Sequence, residues 1–240
     1  MTDRQDLAQL ETRLLALESK LDNFEKTMKR ALDDLWSQNE GLAALYRLLD
    51  GKSVLPKMRG WAASPDFLRM VSEHILEHRP RVILECGCGS STIIMGYLVE
   101  SYGGSVTSIE NIPDCADKVR AELTSRKLDQ SVSVISCNLK TFRYGPFSHD
   151  FNWYDLSFAT LPAKVDMLVV DGPFGGLNPL ARYPAGPELL KYLVPGGVIF
   201  LDDTKRADEK QLPDLWKKIY PTLEAHKMPA EKGAIELILK

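Results

Sequence analysis

The apolar positions of the first fifty residues fall on one repeating stripe. Leu7, Leu10, Leu14, Leu17, Leu21, Phe24, Met28, Ala31, Leu35, Gln38, Leu42, Leu45 and Leu49 are spaced alternately by three and four residues, and only Gln38 is polar. No proline precedes Pro56 and no glycine precedes Gly41. A 3.5-residue repeat is that of a left-handed coiled coil. The pattern therefore predicts one helix over 1–50, about 65 Å long at ~1.5 Å per residue. With Leu7 at heptad position a, Glu11, Glu18 and Glu25 take e positions, and Arg13 and Lys20 take g positions. A parallel pairing then joins Arg13 with Glu18 and Lys20 with Glu25 of a second copy, each pair worth about 0.2–1 kcal/mol. Leucine at both seam positions leaves the number of strands open. Gln38 either helps fix register or marks where the coil loosens ahead of Gly41. An amphipathic helix lying on a globular core is the competing reading of the same stripe.

After Asp50-Gly51-Lys52 and Pro56 the pattern becomes globular. Residues 51–63 read as a linker and 64–240 as one domain. Ser64-Pro65 reads as a helix start, with Ser64 as cap, and Pro80 as the stop. Strands are expected at 82–86, 105–110, 132–136, 166–171, 197–202, 222–227 and 234–239, and helices at 64–78, 91–101, 114–127, 184–193 and 208–219. Short unbroken apolar runs such as Val-Ile-Leu and Met-Leu-Val-Val suit a parallel sheet covered on both faces. The expected fold class is α/β: a Rossmann-like, doubly wound, mostly parallel seven-stranded sheet preceded by a long N-terminal coiled-coil helix.

Composition narrows the partners. The 240 residues carry a net charge of −3, so no global basic field argues for nucleic acid or anionic lipid. No apolar run is long enough to span a membrane, and the polar start MTDRQDLAQLE does not read as a secretory signal. Cys86, Cys88, Cys115 and Cys137 show no zinc spacing and read as reduced thiols of a cytoplasmic protein.

The most informative stretch is R-V-I-L-E-C-G-C-G-S-S-T over 81–92. A buried strand runs into Glu85, then into a turn with Gly87 and Gly89, then into a helix carrying Ser91. Glycines let a backbone turn sharply and approach a ligand closely. A dinucleotide fingerprint has a third glycine where this chain has Thr92, so NAD is disfavoured. An acid beside such a loop suits a ligand with a cationic amino group. The next strand ends in Glu110, about twenty residues on, where an acid can accept ribose hydroxyls.

On these motifs residues 81–240 resemble a class I S-adenosylmethionine-dependent methyltransferase. The stretch S-I-E-N-I-P-D-C-A resembles the catechol O-methyltransferase-like branch. G-W-A-A-S-P-D, V-D-G-P-F-G, A-R-Y-P-A and L-D-D-T-K-R resemble bacterial methyltransferases linked to glycan or natural-product modification. The resemblance implies S-adenosyl-L-methionine as cofactor, with Glu85, Gly87, Gly89 and Ser91 at its methionine end and Glu110 on the ribose. It places Cys137 and Asn138 near the adenine, and Asp171 beside the cofactor. An Asn that merely forms a turn is the alternative for Asn138.

Two further strand ends carry Asp171 and the pair Asp202-Asp203. Three carboxylates converging in a partly dry site repel one another, and a hard cation such as Mg²⁺ relieves this. In the resembled branch the matching positions bind metal, which implies Asp171, Asp202 and Asp203 as ligands. Asp171, Asp202 and Arg206 are the expected catalytic residues. The branch's lysine base is replaced by Phe174, leaving Lys205, Arg206, Arg182 and His149 as other polar candidates. The arginines suit substrate binding or pairing with the acids better than base chemistry.

The aromatic segment 141–161 reads as either a substrate lid or a cover for the sheet edge, and 172–183 as a second substrate wall. Trp61 either closes over the cofactor or anchors the first helix. The expected activity is transfer of a methyl group to a hydroxyl of a small molecule or glycan, by a homo-oligomer held through a parallel coiled coil. A nitrogen or carboxylate acceptor, and an assembly protein that has lost turnover, are the alternatives.

Overall fold

The computed structural model describes residues 2–50, 54–58 and 60–240. The expected turn residues Gly51 and Lys52, and the linker residues Ser53 and Arg59, lie outside the described residues. The chain opens with helix α1 (Thr2–Leu48), then α2 (Pro65–His78). There follow β1 (Val82–Cys86), α3 (Ser90–Glu100), β2 (Ser105–Glu110), α4 (Pro113–Ser125), β3 (Val132–Ser136), β4 (Leu139–Phe142) and β5 (Phe151–Tyr154). The rest is β6 (Val165–Val170), α5 (Ala185–Leu189), β7 (Leu193–Asp202), α6 (Leu212–Ile219), β8 (Leu223–Met228) and β9 (Ala234–Leu239).

Seven strands form one sheet in the order β3-β2-β1-β6-β7-β9-β8. β3, β2, β1, β6 and β7 are parallel, while β9 runs antiparallel to both β7 and β8. The expected mostly parallel sheet is present. Its side chains alternate between two cores, as a strand's two-residue period requires. Ile83, Met167 and Val169 face the core under α2, α3 and α4, and Leu84, Leu168 and Val170 face the one under α5 and α6. The strand order reverses at β1, which pairs with β2 on one side and β6 on the other. Ligands of open α/β sheets bind outside the carboxyl ends of the strands at such a reversal.

Three local departures have physical reasons. β4 and β5 form an antiparallel hairpin where a long loop was expected, and Phe151, Trp153 and Tyr154 on it are fully buried. These three rings are core, Phe142, Tyr144 and Phe147 pack half-buried against them, and Phe158 is exposed. The expected helix 184–193 stops at Leu189 in a 3-10 turn, because β7 starts early at Leu193. A register shift between Val165 and Met167 accommodates that early start. Thirdly, α2 is not capped by the Ser64 side chain. Gln38 of α1 reaches across, and its Oε1 accepts the Asp66 backbone N–H at 3.2 Å.

That bond shows how α1 is used. Its last turns lie on α2, with Leu45 and Leu49 in the domain core. A Cβ on Gly41 would sit 2.8 Å from backbone atoms of Pro65 and Asp66, so only glycine lets the two helices meet this closely. The stripe therefore serves as an amphipathic docking face from Gln38 onward.

Candidate active site

The carboxyl ends of β1, β2, β6 and β7 gather the expected residues on one edge. Gly87, at φ +86°, turns the chain after β1 and donates its N–H to Ile109 O at 2.9 Å. A Cβ on Gly87 would lie 3.2 Å from the Cα of Gly172, the residue after Asp171. A Cβ on Gly172 would lie 2.9 Å from Gly87 N and Cα, and 2.5 Å from the Tyr154 hydroxyl. The loop after β1 and the loop after β6 thus touch backbone to backbone. Among the described residues, none beyond its chain neighbours comes within 4 Å of the Cβ position of Gly89, whose surroundings are open.

Glu85 is fully buried at the end of β1. Ser91 donates its hydroxyl to Oε1, and Ser108 and Thr92 donate theirs to Oε2, the last at 2.6 Å. Burial pushes the Glu85 carboxyl up to about 7, opposed by these three hydroxyls and assisted by the Asp171 charge. Thr92 also accepts the Gly89 N–H at 2.9 Å. The residue standing where a dinucleotide fold has its third glycine therefore ties the turn to the acid. Glu85 and Ser91 were expected to hold the methionine end directly. In the structure Ser91 donates its hydroxyl to Glu85 inside the fold, and the pair braces the glycine turn.

Glu110 caps the same turn from β2. Its Oε2 accepts the Cys88 N–H at 3.1 Å and its Oε1 accepts the Ile112 N–H at 2.8 Å. A carboxylate offers about four acceptor sites, so capacity remains for two ribose hydroxyls. Beyond β3, Cys137, Asn138, Asp155, Phe158 and Ala159 line a cavity of about 220 Å³. Asn138 also accepts the Asp155 N–H on its backbone oxygen at 2.7 Å. This is the side on which the adenine was expected.

The acids of β6 and β7 converge on the other side of the reversal. Oxygens of Asp171, Asp202 and Asp203 lie within 4.8 Å of one another. Among them sits the buried guanidinium of Arg182. Its Nη2 donates to Asp171 Oδ1 at 3.0 Å and to Asp203 Oδ2 at 2.7 Å, and its Nη1 to Asp202 O at 3.1 Å. Arg206, half exposed, pairs with Asp203 at 2.9 Å, and Glu209 lies 3.8 Å from Arg182 Nε. Burial raises Asp171 to about 6 against the pull of Arg182, and raises Asp202 well above the usual carboxylate range. Asp202 Oδ1 accepts the Asp203 N–H at 2.7 Å, while Oδ2 has no partner among the described residues.

The donor chemistry suits a divalent cation, with hard carboxylate oxygens and one buried oxygen unpaired. Four carboxylates and two guanidiniums meet here, with Lys232 acting on Asp171 from farther off. The resident Arg182 already performs part of the neutralisation expected of a metal.

Of the other candidates, His149 is half-buried against Phe147 and Phe151 and faces Pro179 O at 3.2 Å, and Lys205 is exposed with its N–H on Lys232 O. Trp61 stacks on Phe174, ring centroids 5.2 Å apart, and both rings are exposed. Tyr154 is the functional candidate that sequence reasoning placed differently. Its buried hydroxyl has no partner among the described residues and lies against the two touching loops. A four-residue strand gave no signal for it. Ser90, at the start of α3, is a second buried hydroxyl without a partner among the described residues.

A family model described as a methyltransferase domain matches residues 84–204. No curated protein matches the chain. Among solved structures, an O-methyltransferase from Bacillus cereus in complex with S-adenosylhomocysteine is similar at 19% identity and TM-score 0.58, over 82% of this chain and 91% of that one. An S-adenosylhomocysteine-bound methyltransferase from Podospora anserina is similar at 15% identity and TM-score 0.56, over 82% and 88%. An O-methyltransferase from Streptomyces achromogenes involved in tomaymycin synthesis, in complex with S-adenosylmethionine, is similar at 17% identity and TM-score 0.51, over 85% and 88%. The glycine turn, the acid ending the second strand and the acids of β6 and β7 lie in the matched region, and the chain belongs to the family of S-adenosylmethionine-dependent methyltransferase domains.

Proposed function

We propose that this chain transfers a methyl group from S-adenosylmethionine to a hydroxyl of a small molecule or glycan. The observation that carries the reading is where the unpaired buried polar atoms fall. Among the described residues seven buried side-chain atoms lack a partner, and those of Ser90, Tyr154, Arg182 and Asp202 belong to this one edge of the sheet. Buried polar atoms are rarely left unpaired in a folded protein, so their grouping here supports a polar ligand.

S-adenosylmethionine supplies an electrophilic methyl group on its sulfonium when bound. Glu110 takes the ribose hydroxyls on its spare acceptor sites, and Asn138 faces the adenine. Gly87 and Gly89 let the backbone lie close to the methionine end, while Glu85, Ser91 and Thr92 hold that turn rigid. Asp171, Asp202 and Asp203 would hold a divalent cation, which lowers the pKa of an acceptor hydroxyl. Asp202 Oδ2, without a partner among the described residues, is the oxygen left available to that cation or to a polar group of the acceptor. Arg182 and Arg206 keep the acids together. The Trp61–Phe174 pair offers an exposed apolar surface for a ring of the acceptor.

Calorimetric titration of S-adenosylmethionine into the chain tests the cofactor half. Binding is expected, with at least a tenfold loss in Glu110→Ala. Methyl transfer to sugar and phenol acceptors, run with chelator and then with Mg²⁺ restored, tests the acid half. Full transfer in chelator would remove the metal and leave the arginines as sole compensators. Retained cofactor binding with transfer only to nitrogen or carboxylate acceptors would replace the hydroxyl reading.

A further inference from the structure

The two ends of α1 have different surroundings. Leu45 and Leu49 are in the domain core, and Leu42 packs against it. Leu7, Leu10, Leu14, Leu17, Leu21 and Phe24 on the same stripe are each about 60% exposed, and Met28, Ala31 and Leu35 are exposed as well. Helices in water owe most of their stability to packing of an apolar face. Contiguous exposed apolar surface on this scale marks an interaction site.

We infer that residues 7–35 pair in parallel with the same residues of a second copy of this chain. Charge selects the occupant and its direction. A parallel pairing sets each g position against the e position five residues on in the partner. That brings Arg13 to Glu18 and Lys20 to Glu25 of the second copy. An antiparallel pairing sets e against e, which places Glu11, Glu18 and Glu25 among themselves. Such like-charge opposition is a device for excluding wrong pairings. The coil ends near Gln38, because from there the stripe is committed to the chain's own α2. Parallel pairing places both domains at the same end of the coil.

Light scattering on the full chain is the first test, with a mass at least twice 26.9 kDa expected. The Leu17→Asp/Phe24→Asp variant is expected at the single-chain mass, with unchanged near-ultraviolet circular dichroism, because neither side chain touches the domain. A single-chain mass for the unaltered protein overturns the proposal. Direction is read with Leu10→Cys under mild oxidation. A parallel pair places both cysteines together and gives a covalent dimer that the unaltered chain does not give. An associating chain that fails to cross-link at this position overturns the parallel arrangement. The charge rule is read with Arg13→Glu/Lys20→Glu, which should weaken self-association at least tenfold. Mixing it with Glu18→Lys/Glu25→Lys should recover the complex, and failure to recover it removes the pairing of g with e.

Discussion

The two halves of the site edge bury carboxylates by different means. On the β1–β2 side, Glu85 is surrounded by neutral donors, the hydroxyls of Ser91, Thr92 and Ser108. On the β6–β7 side, Asp171 and Asp203 are held by the Arg182 guanidinium, with Arg206 added from the rim. Hydroxyl donors keep an acid in place without opposing its charge, so Glu85 stays poised near neutrality. A guanidinium supplies charge as well as direction. The first half is thereby a fixed scaffold, while the second is an electrostatic balance that a ligand can tip.

The contrast can be broken most severely at Arg182. Replacing it with Met strands Asp171, Asp203 and Glu209 together. Removing one partner of a buried ion pair costs about 3–5 kcal/mol, and urea denaturation of Arg182→Met should show a loss of that order. A loss below about 1 kcal/mol would mean that the acids are neutralised by protons rather than by the arginine.

Next comes the place where the halves touch. Gly172→Ala sets a methyl against Gly87 and the Tyr154 hydroxyl. Overpacking of this kind costs about 1–3 kcal/mol. Because the clash includes backbone, cofactor affinity measured by calorimetry should fall along with stability. Unchanged affinity would show that the two loops separate freely.

A smaller effect sharpens the scaffold side. The folded Glu85 carboxyl titrates near 7, above its ordinary 4.5. Between those values the folded chain binds more protons than the unfolded chain, so this group's contribution to stability falls as pH rises from about 4.5 to about 7. Thermal denaturation of Glu85→Gln across that window should show a shallower decline than the unaltered chain. The smallest change in stability is expected for Asp202→Asn, which keeps the shape and still offers an oxygen to the Asp203 N–H. Its effect should appear in methyl transfer instead, read as kcat with KM for the cofactor unchanged.

Much of the architecture was legible because buried parallel strands leave continuous apolar runs. Val-Ile-Leu at β1 and Met-Leu-Val-Val at β6 mark their strands to within a residue. The edge residues followed from them, since Glu85, Asp171 and Asp202 each close such a run, and Glu110 ends the neighbouring strand β2. The β4–β5 hairpin left no comparable trace. Its strands are four residues each, joined across eight, and its aromatic residues carry the same letters whether they line a lid or fill a core. The partners of Glu85 were also out of reach. Ser108 lies on a neighbouring strand, and only register brings it opposite. Likewise a 3.5-residue repeat reads identically in a coil and in a docked helix. Which one applies at Leu45 depends on α2, far along the chain.

The contact between Gly87 and Gly172 also limits how such a site can diversify. Neither position can carry a side chain, so the spot offers no chemistry to vary and acts as a pivot shared by both loops. On the proposed reading, acceptor preference is then set at the rim, at residues such as Trp61 and Phe174, whose rings are exposed. The centre can stay unchanged while the periphery drifts, and a family built on this pivot can keep one methyl donor while exchanging acceptors.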